Sequence, residues 1–507
     1  MLHDFKIARN NLRERTMLLL VLVLYTLVAG YTMLHHEMWG DELHSWNLAR
    51  SSDSLAGLIE NRKYEGHPPV WYLLLWGISG CTHKVYWMQV AHLTIAVVTV
   101  ALILFRSPFP LWTRVLLPFG YYFLFEYAVL SRNYALGILA GFLICLLLKT
   151  QHRYKLWGYY ALLLFMSNVH LLALLLAGCL HLYFLMSLAE DKKGKAVVIS
   201  HILLGALIFL PAIGFIMPPS DTDLSIAASM KRWSYDRLLI ALQAPLRAFV
   251  PMPAWWKYHF WNWQCIIELN AQYKVMKAFS LLMALGFIWL GCYLLKGSRK
   301  SRMLFVSNIA LTWMAGLIYP LGVQRYVGFI FIGFLAAYWL ASAERPLPLL
   351  KRRIINLLLM IQMIAGVFMA VKDIRLPFSN FYKVEELLGE VPPGKRTVTE
   401  YWALIAGAAY LDRPFYCVDL QQEASFIRWG GDMAVMTRKA NRYYDGIKTL
   451  FEKERLKEVY LYSASAPEVL RQTDAKLFAA YRVQLVGKRT GAIEKWSNLY
   501  LYRIRIL

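Results

Sequence analysis

Long apolar runs separated by short polar spacers fill the first 371 residues of the chain. An apolar run of roughly 17–22 residues is long enough to cross a bilayer as a helix. Runs of this kind lie at 17–34, 85–105, 115–131, 169–189, 196–217, 278–295, 303–319, 326–343 and 354–371. Two shorter runs, 134–148 and 156–168, bring the predicted set to about eleven transmembrane helices. The pattern predicts an α-helical polytopic membrane protein.

The pattern changes after residue 371. In the tail, 372–507, short alternating segments typical of strands occur at Glu458–Ser463, Arg482–Val486 and Asn498–Leu507. Segments with helical periodicity occur between them, at Trp402–Leu411 and Tyr444–Arg455. The sequence therefore predicts two domains: a transmembrane domain over 1–371 and a compact C-terminal α/β domain over 372–507.

Composition and charge agree with a membrane protein and orient it. Apolar and aromatic residues make up 58% of the chain and charged residues only 17%, which is too little charge for a soluble surface. The 55 Lys and Arg exceed the 32 Asp and Glu, giving a net charge of +23. The basic residues cluster in alternate spacers, as the positive-inside rule requires of cytoplasmic loops. We expect an inner (plasma) membrane protein with a cytoplasmic N-terminus, and with the loops 35–84 and 218–275 and the C-terminal domain outside.

One apolar segment, 68–80, is too short to span a bilayer comfortably. Counting it as a span would move every later basic cluster to the outer side. We therefore interpret it as an interfacial helix that Pro68 and Pro69 open.

The first outer loop carries an acidic pair, Asp41 and Glu42, between Trp39 and Trp46. On a helix these carboxylates share part of one face with Ser45. Two interpretations remain open: a catalytic base or metal ligand, or a solvated turn whose tryptophans lie in the aromatic belt of the membrane.

Three motifs make the chain resemble the GT-C superfamily of membrane glycosyltransferases. They are the Asp41-Glu42 pair after the first span, the Gly66-His67-Pro68-Pro69 segment before an aromatic helix, and Glu126 followed by Ser131-Arg132-Asn133-Tyr134-Ala135-Leu136. The resemblance is to the protein O-mannosyltransferase and aminoarabinose-transferase branches, glycosyltransferase family 39. It implies a sugar donor carried on a polyprenyl phosphate and a catalytic role for Asp41, with Glu42 and His67 beside it. Some relatives use a divalent metal cation, for which Asp41 and Glu42 would be the ligands.

Isolated basic residues at the outer face suit a lipid phosphate. Arg132 and Arg325 are each the only basic residue of a very short outer loop, and arginine offers a planar fork of donors for phosphate oxygens. The alternative is that both side chains reach lipid headgroups. Tyr134 and Tyr326 can add hydroxyl donors, and His170 either joins the same polar cluster or has a structural role.

Other polar residues leave further alternatives open. Glu126 lies within the span 115–131 and either pairs with Arg132, which we favour, or faces a cavity. His92 and Gln89 are expected to form hydrogen bonds between helices. The aromatic stretch Trp255–Trp263 suits burial at the membrane surface better than stacking on sugars.

These features favour a membrane glycosyltransferase that transfers a sugar, with inversion, from a polyprenyl-phosphate donor to a lipid, polysaccharide or protein acceptor at the outer face. The chain has no P-loop and no dinucleotide fingerprint, so an activated sugar has to arrive on a lipid. The alternative is a transporter or flippase of lipid-linked sugars, and a third is a relative that only binds them. Nucleic acid is not an expected partner.

Overall fold

A computed structural model describes residues 2–150, 154–220, 222, 233–271, 273–319, 322–430 and 439–507. The described helices, in chain order, are α1 (Leu2–His35), α2 (Gly40–Arg50), α3 (Leu55–Asn61), α4 (Val70–Ser79), α5 (Tyr86–Arg106), α6 (Leu111–Leu116), α7 (Tyr134–Leu148), α8 (Lys155–Ser167), α9 (Leu171–Glu190), α10 (Lys195–Ile216), α11 (Tyr235–Leu242), α12 (Ala244–Phe249), α13 (Cys265–Glu268), α14 (Lys274–Leu294), α15 (Arg299–Ile318), α16 (Gln324–Glu344), α17 (Leu349–Arg375), α18 (Val384–Leu388), α19 (Tyr401–Leu411), α20 (Arg442–Glu454), α21 (Pro467–Thr473) and α22 (Ala475–Ala480). The strands are β1 (Thr397–Thr399), β2 (Phe415–Cys417), β3 (Gln422–Ala424), β4 (Glu458–Ser463), β5 (Tyr481–Arg489) and β6 (Leu499–Ile506).

Internal contacts divide the chain into two compact units. Unit 1 consists of Met1–Leu34, Val90–Ile216 and Ile226–Lys372, and unit 2 of His35–Gln89, Met217–Ser225 and Asp373–Leu507. The loop 35–84, which the sequence assigned to the transmembrane domain, thus groups with the C-terminal tail.

Eight helices are apolar and long enough to cross a membrane, as a multi-pass membrane protein needs. Among the described residues these are α1 from Leu12 onward, α5, α9, α10, α14 from Val275 onward, α15, α16 and α17. They confirm eight of the predicted apolar runs as long helices. Two more runs form α7 and α8, which have 15 and 13 residues and so extend only about 20 Å at 1.5 Å per residue. The crossing of a membrane by eleven segments stays a prediction.

The predicted continuous helix over 115–131 is wrong. The chain there forms α6, a short 3₁₀ turn at Leu117–Phe119, and a single π-helical segment at Tyr122–Glu126. Pro118 removes a backbone donor, and Gly120 is extended with ψ 156°, so the helix cannot continue. The apolar composition was interpreted correctly, but the Pro-Phe-Gly interruption was not.

Side chains from other helices compensate for this break. The Tyr25 hydroxyl of α1 donates to the carbonyl of Phe123 at 2.7 Å. The two imidazole nitrogens of His92, on α5, lie 3.1 Å from the carbonyl oxygens of Ala128 and Arg132. A carbonyl without a helical partner is costly in an apolar interior, so these contacts stabilise the irregular backbone. They confirm the expected interhelical role of His92.

The broken segment also packs tightly against α17, which gives a first testable prediction. A Cβ added at Gly366 would lie 2.6 Å from the carbonyl oxygen of Phe119 and 2.9 Å from the carbonyl carbon of Gly120. Backbone cannot move aside cheaply, so we expect Gly366→Ala to reduce stability by about 1–3 kcal/mol, measured as a lower thermal unfolding midpoint in detergent. Gly286→Ala on α14 is the matched control, since a Cβ there meets nothing within 4 Å. A raised midpoint for both variants would contradict the prediction.

In unit 2, the C-terminal part contains the predicted sheet. Its strands run in the order β3-β2-β1-β4-β6-β5, with β1 parallel to both β2 and β4 and the other pairs antiparallel. The side chains of α20 and the inner faces of β1, β4 and β6 form one apolar core. The three predicted strands and both predicted helices of the tail are confirmed. The helix after Pro68 and Pro69 is also present, as α4, while its place at a membrane surface stays a prediction.

Candidate functional site

Asp41 lies in the first turn of a deeply buried helix of unit 2. Of the residues from Gly40 to Ala49 on α2, only Asp41 is not buried. The helix is fixed against α19, because Asn47 and Arg50 donate to backbone carbonyls of α19 at 2.9 and 2.7 Å. Gly40 permits a close approach, since a Cβ there would lie 2.6 Å from the Trp402 ring. One carboxylate is thus presented at the surface of a rigid support, where the positive end of the helix dipole favours an anion.

Glu42 points away from Asp41 and holds the start of α2. Its Oε2 accepts from the backbone N–H of Trp39 at 3.1 Å and lies 3.1 Å from His36 Nε2. The other imidazole nitrogen, Nδ1, lies 3.1 Å from Asp373 Oδ1. All three of these side chains are essentially inaccessible to solvent. We name Glu42, His36 and Asp373 the buried clamp; it replaces the shared acidic face expected from the sequence, while Ser45 bonds to the Asp41 carbonyl.

A metal ion does not fit this arrangement. Within the part of the chain that the structure describes, no group of three or more His, Cys, Asp and Glu is placed to hold one. Of the two expected ligands, Glu42 is already engaged by an imidazole and a backbone N–H. No step below passes through a metal.

His67 belongs to a second polar cluster of unit 2, centred on Glu65. The carboxylate of Glu65 lies 2.9 Å from His44 Nε2 and accepts from the Tyr72 hydroxyl at 3.1 Å, while the His67 carbonyl accepts from Arg62 at 2.7 Å. Burial raises the pKa of Glu65, but attraction to His44 and His67 and hydrogen bonding outweigh it and hold that pKa below its usual value. Glu65 is therefore an anion at neutral pH.

Three predicted binding residues of unit 1 are brought together by ring contacts. The ring of Tyr134 lies 4.7 Å from that of His170 and 6.2 Å from that of Tyr326. Phe329 closes the group, at 4.7 Å from His170. His170 Nδ1 also accepts from the backbone N–H of Ala173 at 3.3 Å, so this residue caps α9 as well. The structural role left open for His170 is present together with its place in the cluster.

Arg325 joins this group at the start of α16. It is buried, and its guanidinium lies 5.3 Å from the Tyr326 ring and 5.6 Å from the Trp261 ring. Trp261 in turn donates to Glu126 Oε2 at 3.4 Å, and Tyr121 donates to the same oxygen at 2.7 Å. The favoured pairing of Glu126 with Arg132 is wrong, because Tyr121 and Trp261 bind that carboxylate, whose nearby countercharge is Arg325.

The second large loop fixes the start of α16. Asn262 accepts from the backbone N–H of Gln324 at 2.8 Å, and Arg247 donates to the carbonyls of Asn262 and Gly322 at 2.9 and 2.7 Å. Within the aromatic stretch, Trp261 is buried whereas Trp255, Trp256 and Trp263 are exposed. The stretch therefore serves Arg325 through its buried part and leaves the other tryptophans for the surface.

Arg132 is buried, and its carbonyl is the one that His92 contacts. Sequence reasoning missed His36, Asp373, His44 and Trp261 as members of these clusters. The available signal was weak: His36 and Asp373 are polar residues close to the ends of long apolar runs. No protein-family model matches the chain, and no curated protein is significantly similar to it.

Proposed function

We propose that the protein is a membrane glycosyltransferase that moves a sugar from a polyprenyl-phosphate donor to a hydroxyl acceptor with inversion. The observation that carries this proposal is the placement of Asp41 as the single unburied residue of the first ten of α2. The eight apolar helices supply the membrane setting that a lipid-linked donor needs.

In the proposed reaction Asp41 is the general base. Its carboxylate takes the proton of the acceptor hydroxyl while the hydroxyl oxygen attacks the anomeric carbon of the sugar. The bond between that carbon and the phosphate oxygen breaks, and the lipid phosphate leaves with the electron pair. Glu42 does not touch the reacting atoms; it positions Asp41 through the buried clamp.

Arg325 and Arg132 bind the donor phosphate in this proposal. Negative charge grows on the phosphate as the sugar departs, and guanidinium groups placed in advance stabilise it. Both side chains are buried, which strengthens their attraction to an anion relative to water. Tyr134, Tyr326 and His170 surround the same region of unit 1 and supply polar ring atoms.

The test uses the full chain in nanodiscs with a radiolabelled polyprenyl-phosphate sugar and a membrane extract as the source of acceptor. An enzyme transfers the label to a new product. A flippase in sealed vesicles moves the labelled lipid between leaflets without changing it, and a binder only retains it. Either of the last two outcomes overturns the proposal.

The phosphate role of Arg325 predicts a specific kinetic change. Arg325→Lys keeps the positive charge but loses the planar fork, so we expect the KM for the donor to rise about tenfold with a smaller change in kcat. Arg345→Lys, at the other end of α16 and exposed, is the matched control. An unchanged donor KM in Arg325→Lys would remove Arg325 from the donor site.

A further inference from the structure

The side chain of His44 is buried, but one of its two ring nitrogens has no partner among the described residues. Its Nε2 lies 2.9 Å from the Glu65 carboxylate, whereas Nδ1 is enclosed and makes no hydrogen bond. A buried polar atom left unsatisfied costs about 1–3 kcal/mol, so an unpaired nitrogen of this kind indicates a group that binds there. Glu65 decides which group. In the tautomer that donates Nε2–H to the carboxylate, Nδ1 carries a lone pair and accepts from an O–H.

An aromatic cluster lies beside this nitrogen. The ring of Trp429 is 5.7 Å from the His44 ring, and Tyr401 and Trp402 flank Trp429 at 6.2 and 6.5 Å. Trp429 is only partly buried, so one side of its indole is available. The negatively polarised face of an indole attracts the C–H groups on the apolar face of a pyranose ring.

His44 and Asp41 also share one face of α2. They are three residues apart, which places them one helical turn from each other. A hydroxyl compound held at His44 therefore lies on the helix face that carries the proposed base. Ser45, one residue further, is buried and bonds back to the Asp41 carbonyl, so the face is fixed.

We propose that His44, Glu65 and Trp429 form the acceptor site, and that the acceptor is a sugar hydroxyl. One hydroxyl of the acceptor sugar donates to His44 Nδ1, and the ring of that sugar stacks on Trp429. Glu65 is a positioning residue that sets the tautomer of His44. This inference rests on the proposed function, and it narrows the acceptor to carbohydrate in place of a serine or threonine side chain or a lipid phosphate.

Binding can be measured without any donor. Saturation-transfer NMR on the full chain in nanodiscs, with methyl α-D-mannopyranoside, methyl α-D-glucopyranoside and methyl α-D-galactopyranoside as probes, reports which C–H groups of a sugar contact the protein. We expect at least one probe to receive saturation on the C–H groups of one ring face. Trp429→Leu should abolish that signal, and His44→Gln should weaken the binding about tenfold, the equivalent of one lost hydrogen bond.

Paired variants separate the acceptor role from a structural one. A glutamine amide reaches the Nε2 position and keeps the bond to Glu65, whereas the shorter asparagine places a polar atom at the Nδ1 position. Binding that falls in His44→Gln and recovers in part in His44→Asn supports the proposal. Because Trp429 is partly exposed, Trp429→Leu carries the test if the His44 variants fail to fold. The control is His83→Gln, at an exposed histidine of the same unit that pairs with Asp412.

The outcomes also separate this inference from the proposed function. If no probe shows saturation that depends on Trp429 or His44, the sugar site is overturned, even where the labelled donor still supports transfer to a peptide or a lipid phosphate. If sugar binding depends on both residues but the chain transfers no label, the glycosyltransferase proposal falls and the sugar-binding site stands.

Discussion

We expect Asp41→Asn to lower the rate of sugar transfer by about 10²–10⁴-fold, the usual contribution of a general base, and to leave donor binding intact. The amide has nearly the same size as the carboxylate but cannot accept the proton of the acceptor hydroxyl. Asp41 is the one residue of its helix segment that is not buried, so the substitution disturbs no core contact. The measurement is initial-rate transfer of labelled sugar, with donor binding followed separately.

The matched control is Asp53→Asn, which removes an exposed carboxylate from the same loop. It should transfer sugar at the wild-type rate. Full activity in Asp41→Asn would exclude Asp41 as the base, and equal losses in both variants would point to loop charge instead of a specific proton acceptor.

The buried clamp should dominate the stability of unit 2. His36→Leu leaves the carboxylates of Glu42 and Asp373 facing each other without a cation, and breaking a buried ion pair in this way costs about 3–5 kcal/mol. For a unit of this size, that loss corresponds to a fall of roughly 10 °C in the unfolding midpoint. Thermal unfolding of the detergent-purified protein measures it.

The pH dependence of this effect has a defined sign. Burial lowers the pKa of His36, but the charges of Asp373 and Glu42 outweigh it and raise the pKa well above its usual value. A folded-state pKa above the unfolded value, about 6.5, means that the stabilisation is complete below that pH. It is lost as the pH rises through the folded-state pKa. The wild-type midpoint should therefore decline on the alkaline side.

His36→Leu should lose this alkaline decline and gain stability towards acid pH, where its two carboxylates become protonated. His83→Leu is the control, because His83 and its partner Asp412 are both exposed and such pairs contribute little. Identical pH profiles for the wild type and His36→Leu would contradict a charged clamp.

The sequence patterns that predict elements correctly are local ones. Alternation over Glu458–Ser463 needs only neighbouring residues, and so does the helical periodicity of Trp402–Leu411; both are confirmed. The run 115–131 failed because an apolar average hides Pro118 and Gly120. A single backbone conformation there outweighs the composition of the whole segment.

Partners distant in sequence could not be predicted in this way. His36 and Asp373 are 337 residues apart, and no periodicity links them. The cluster of Tyr134, His170 and Tyr326 was anticipated only because each residue stands at the end of an apolar run, where successive loops meet on one side of a membrane. Trp261 carried no such positional signal, so its contact with Glu126 was missed.

The broken segment around Tyr122–Glu126 has a consequence for biogenesis. Its backbone carbonyls take donors from Tyr25 and His92, both of which are synthesised before the segment itself. When the ribosome delivers this stretch to the insertion machinery, α1 and α5 already stand beside it to complete its hydrogen bonds. The two earlier helices thus act as an intramolecular chaperone, and the order of synthesis matches the order in which the backbone can be satisfied.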